Sequence, residues 1–82
     1  MADRPLKLHR LRQILRRYQV SEDTSRGKGS HTLFIRMLPE GKASYPVPTS
    51  KEDVASVYVR ALRKKFRLTE MDGVTDYDFY EG

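Results

Sequence analysis

Apolar residues recur along this 82-residue chain in two rhythms. From Pro5 to Tyr18, Leu8, Leu11, Leu15 and Tyr18 fall three or four positions apart, which places them on one stripe of a helix. Asp3 offers that helix a cap and Pro5 suits its first turn, while Lys7, Arg10, Arg12, Arg16 and Arg17 take much of the remaining circumference. The period then drops to two. Ser30 to Leu38 reads as a strand with His31, Leu33, Ile35 and Met37 on one face and Thr32, Phe34 and Arg36 on the other. With the first set turned toward the helices, His31 is the terminal member of the core face, at the sheet's rim. "LPEGK" supplies a turn in which Gly41 takes the left-handed position, and Lys42 to Val47 returns as the partner strand. Gln19 to Thr24, short and mostly polar, reads as a first edge strand.

The helical period resumes after Val47. Thr49 with Glu52, or Ser50 with Asp53, has the spacing of a capping box. Val54, Val57, Tyr58, Ala61, Leu62 and Phe66 then form one face of a second helix over Lys51 to Phe66. Arg60, Arg63, Lys64 and Arg67 form a cationic stripe opposite. The order helix, strand, hairpin, helix predicts an α+β domain: a small three-stranded antiparallel sheet with two helices on one face, α-β-β-β-α. The domain is expected to span residues 1–69, followed by an acidic, aromatic C-terminal tail over 70–82. That tail, "EMDGVTDYDFYEG", has an Asp-Gly turn signal and can be a solvated terminus or a segment folded back on the cations.

Composition narrows the chemistry. A chain this short buries only about 60% of its unfolded surface, so core and function share few residues. There is no cysteine, hence no disulfide, thiolate nucleophile or sulfur-ligated zinc, and two isolated histidines do not make a metal cluster. Neither a metal nor a small-molecule cofactor is expected. No apolar run approaches the ~20 residues of a membrane span, so the chain reads as cytoplasmic with no membrane partner. All 16 Lys and Arg lie in Met1 to Thr69 against six acids, leaving that part at +10, whereas Glu70 to Gly82 carries five acids and no base. A basic body of this size is a candidate binder of nucleic acid.

The run "RGKGSHTLF" carries the sharpest chemical signal. A histidine titrates near neutral pH, so His31 can take a proton from a ribose 2′-hydroxyl or return one to a leaving oxygen when a phosphate is held beside it. Arg26, Lys28 and the backbone around Gly29 and Ser30 are suitable phosphate holders. The plainer alternative is a hydrogen-bonded rim histidine. The stripe Arg60, Arg63, Lys64 and Arg67 is likewise either an RNA contact or a solvated helix face, although it lacks the acidic partners that salt-bridged surfaces usually carry. "GKGS" does not meet the Walker spacing for a nucleotide phosphate loop.

"GKGSHTLF", the strand, the "PEGK" hairpin, "YPVP" and the helix after it together resemble the HicA toxin family, also called YcfA-like proteins. The resemblance runs over residues 6 to 68, with Gly29-Ser30-His31 opening the second strand and Val47-Pro48 ending the hairpin. It implies a double-stranded-RNA-binding-domain-like fold and an mRNA interferase activity, the toxin half of a toxin-antitoxin pair. It further implies His31 as the catalytic residue and a HicB-like antitoxin as protein partner. The function expected is therefore a metal-independent endoribonuclease using a histidine as general acid and base. The alternatives are a non-catalytic RNA-binding module of the same fold and an interaction protein using its basic face.

Overall fold

The β-hairpin at the centre of the chain sets the frame on which everything else packs. The computed structural model describes residues 3–23 and 30–82. In chain order the elements are β1 (Leu6–Lys7), α1 (Leu8–Arg17), β2 (Ser21–Asp23), β3 (His31–Leu38), β4 (Gly41–Pro48), β5 (Asp53–Val54), α2 (Ser56–Lys65), a 3-10 turn (Glu70–Asp72) and α3 (Asp76–Glu81). Strands β2, β3 and β4 form an antiparallel sheet with β3 in the middle, and β1 with β5 forms a separate two-stranded ladder. The expected α+β architecture, a three-stranded antiparallel sheet with its helices on one face, is what the chain adopts. Gly41 closes the hairpin at a φ of 137°, a conformation that favours glycine.

The face of β3 that meets the helices is the opposite of the one expected. Thr32 and Phe34 are buried, and they stand across from Val47 and Tyr45 of β4, while Arg36 stands across from Ala43. His31 and Met37 are exposed on the other face, with Leu33 and Ile35 half-buried between them. The apolar count along β3 favours the wrong face because the charge of Arg36 has a structural use. Its Nε donates to the carbonyl of Tyr18 at 3.1 Å and its Nη1 donates to the carbonyl of Phe66. Tyr18 and Phe66 are the C-caps of α1 and α2, so one guanidinium satisfies an orphan carbonyl at the end of each long helix.

Those two helix ends are built alike. After each C-cap comes a non-glycine residue in the left-handed region, Gln19 at φ 62° and Arg67 at φ 59°. The residue after that donates back five positions, Val20 N to Leu15 O at 3.0 Å and Leu68 N to Arg63 O at 2.8 Å, which is the Schellman closure. Val20 and Leu68 are both buried, so an apolar anchor holds each strained turn in place.

Helix α1 buries Leu8, Leu11, Ile14 and Leu15, with Tyr18 partly buried at its end. Helix α2 begins at Ser56 and not at Lys51, because Asp53 and Val54 pair with Lys7 and Leu6 and Leu8 N donates to Glu52 O at 2.6 Å. Neither capping-box spacing therefore caps it; Ala55 holds that position with no side-chain hydrogen bond. The helix is also rotated from the expected orientation. Val59, Leu62, Arg63 and Phe66 are buried, and Val57 is 65% exposed.

Residues 70–82 contribute to the same core as the rest. Phe79 and Tyr80 are buried beside Leu11, Leu62 and Leu68, the rings of Tyr18 and Phe79 stack at 6.2 Å, and Thr75 caps α3 by accepting from Asp78 N. The boundary expected between residues 69 and 70 thus runs through continuous packing. Among the described residues no helix is long and apolar enough to cross a membrane.

Candidate functional site

His31 is the first residue of β3 and stands opposite Pro48, the last residue of β4. The backbone on either side of it is held firmly. Thr49 N donates to Ser30 O at 2.7 Å, and the hydroxyls of Thr32 and Thr49 share a hydrogen bond of 2.9 Å on the core side of the sheet. The imidazole itself is exposed, with Ser30 Oγ 3.0 Å from Nδ1. Among the described residues Nδ1 is the ring nitrogen with a hydrogen-bond partner, so Nε2 is the one left to exchange a proton with a bound molecule.

Where β4 ends, a groove of about 290 Å³ opens between the β4–β5 connection and the first turn of α2. Pro48, Ser50, Lys51, Val54, Ala55 and Tyr58 line it, with Asp53 at its edge. The β1–β5 ladder fixes this wall. Lys7 Nζ lies 2.9 Å from Asp53 Oδ1 and 3.5 Å from Glu52 Oε1, and the Asp53 hydrogen bond pushes the Lys7 ammonium above the ordinary lysine range. Pro48 therefore belongs both to the groove and to the pair that carries His31. The sequence reading places Pro48 at the end of the hairpin and Lys51 and Tyr58 in the second helix, and assigns none of them to a site. The hairpin carries a signal for Pro48, since counting back along an unbroken ladder from Leu38 opposite Gly41 brings it opposite His31.

The other expected site residues fare differently. Ser30 adjoins His31 in space as in sequence, whereas Arg26, Lys28 and Gly29 lie outside the described residues. Arg60 and Lys64 are exposed on α2. Arg67 is exposed but paired with Glu40. Arg63 is a correction to the cationic stripe, because it is 3% exposed and turned into the core. Its Nη1 donates to Asp3 Oδ1 at 2.8 Å and to Asp76 Oδ1 at 2.9 Å, and its Nε donates to Leu68 O at 2.8 Å. The guanidinium also lies 4.5 Å from the centre of the Phe79 ring. With its donors satisfied by protein, Arg63 has a structural role and is not available to a phosphate.

The same cluster explains where the acidic segment goes. Arg4 pairs with Glu81 at 2.6 Å, Arg10 donates to the carbonyl of Tyr80 at 2.8 Å, and Arg17 donates to that of Phe79 at 3.4 Å. Part of the positive charge of α1 thereby binds α3, while Arg16, Lys42, Lys51, Arg60, Lys64 and Lys65 are exposed. A hollow of about 370 Å³ lies against this junction, lined by Arg17, Tyr18, Val74 and Asp78, and it includes no residue of β3 or β4. Comparison with known proteins finds no matching family model, no matching curated protein and no matching solved structure.

Proposed function

We propose that this chain is an endoribonuclease of the HicA type, acting in the cytoplasm as the toxin of a toxin-antitoxin pair, with His31 as its acid-base residue. The observation that carries the reading is the exposed His31 imidazole, hydrogen-bonded through Nδ1 to Ser30, on a residue paired across the sheet with Pro48, which lines a groove that also holds Lys51. RNA is drawn in by the basic surface through counterion release. At the site, His31 takes the proton of a ribose 2′-hydroxyl as that oxygen attacks the adjacent phosphorus. The bond from phosphorus to the 5′-oxygen breaks, the leaving oxygen takes a proton from solvent water, and a 2′,3′-cyclic phosphate remains, His31 then giving its proton back to solvent. Lys51 supplies positive charge for the phosphate oxygens. The partner in this reading is a HicB-like antitoxin, which follows from the family resemblance.

The reading is tested by inducing the wild type and His31→Ala in parallel and examining growth and total RNA, then repeating cleavage with purified protein on an oligonucleotide carrying one 2′-deoxy position. Growth arrest and RNA cleavage in the wild type alone, blocked at the deoxy position, is the expected result. RNA that is bound but left intact by folded wild-type protein would overturn it in favour of a binding module of the same fold.

A further inference from the structure

The groove beside His31 has walls of two chemical kinds, and the division suits one class of occupant. Pro48 and the half-buried Tyr58 are flat or apolar with Val54 buried behind them, Ser50 and Lys51 are polar and exposed, and the Asp53 carboxylate is paired with Lys7. Tyr58 is packed against the core from behind, which holds its ring in place before anything binds. The floor is equally fixed, since Leu6 pairs with Val54 and Leu8 N donates to Glu52 O. A phosphate or a sugar alone would leave those apolar walls in contact with water. A planar heterocycle covers them by stacking, with Lys51 in the same groove for its attached phosphate and Pro48, the partner of His31, in the same wall.

We infer that this groove is the nucleobase subsite of the RNA-cleaving centre, with Tyr58 as the stacking surface for the base beside the phosphate that His31 serves. The inference rests on the endoribonuclease reading and adds to it a substrate form: an unpaired base, reachable in single-stranded RNA or a loop and hidden in a duplex. Tyr58 is a binding residue in this scheme and exchanges no proton.

The test uses the full chain carrying His31→Ala, so that bound RNA stays intact. Its binding to a single-stranded RNA oligonucleotide is compared with that to an abasic ribose-phosphate oligomer of the same length, in the Tyr58 parent and in Tyr58→Leu and Tyr58→Phe. The expected result is a loss of roughly tenfold in RNA affinity with leucine, retention with phenylalanine, and unchanged binding of the abasic oligomer. A second readout, the ring-proton shifts of Tyr58 in the unsubstituted ring, should move upfield on addition of RNA. Equal RNA binding by the leucine and phenylalanine variants, or a Tyr58 ring that does not shift, overturns the subsite while leaving RNA cleavage standing. Failure of the parent to bind either oligomer overturns the endoribonuclease reading and the subsite together.

Discussion

The Tyr80 hydroxyl donates to Asp3 Oδ1 at 2.7 Å, across 77 residues of sequence. The same carboxylate oxygen accepts from Arg63 Nη1 at 2.8 Å, and Arg63 reaches onward to Asp76. Three distant segments are thereby joined around one buried cation. Arg63→Met should cost about 3–5 kcal/mol, because it leaves two carboxylates facing each other without their counter-charge. Adding Asp3→Asn and Asp76→Asn to it should recover much of that loss, since an uncharged cluster of similar volume has little left to desolvate. Urea unfolding of the single and triple variants measures both values.

This cluster also contributes to the pH dependence of stability at both ends. Burial, and then the hydrogen bond to Asp3, push the Tyr80 hydroxyl above the ordinary tyrosine range. The stability tied to its neutral form is complete below about pH 10 and is lost as pH rises through the raised folded value. Asp3 behaves in the opposite sense. Burial alone would raise it, but the hydrogen bonds from Tyr80 and Arg63 outweigh that and hold its carboxyl below the usual range. Its contribution is complete above about pH 4 and is lost as pH falls through the lowered folded value. Unfolding measured against pH should show both limbs in the wild type. Tyr80→Phe should flatten the alkaline limb and Asp3→Asn the acid one.

The reversed face of β3 makes a third expectation concrete. Phe34→Ala should cost about 3–5 kcal/mol, since Phe34 is 1% exposed and opposite Tyr45. Ile35→Thr, on the open face opposite Ser44, should cost under about 1.5 kcal/mol. Thermal unfolding of the two variants separates the faces directly, and a larger loss at Ile35 would contradict the packing described.

Helix α1, the hairpin and the order of the three strands could be read from the chain because each rests on local periodicity or turn chemistry. The stripe at Leu8, Leu11 and Leu15 and the glycine at 41 are signals of that kind. What could not be read depends on residues that are distant in sequence. A two-residue alternation identifies two faces but does not say which is buried, and in β3 the deciding partners are the carbonyls of Tyr18 and Phe66. Arg63 looked like one more surface cation because Asp3 and Asp76 are 60 and 13 residues away. Helix α2 starts late because β5 pairs with β1, a contact that no capping pattern encodes. At the candidate site His31 and Ser30 are legible, while the grouping of Lys51 and Tyr58 with Pro48 depends on the turn from β4 into α2.

The bonds made by Arg36 span 18 and 30 residues, and each ends on a carbonyl that exists in place only once a helix has closed its last turn. Such bonds belong to the last stage of assembly, after the hairpin and both helices are in position. Contacts absent from the folding transition state govern how fast a protein comes apart and scarcely affect how fast it forms. Arg36→Met is therefore expected to shorten the lifetime of the finished molecule while leaving the rate of its formation nearly unchanged.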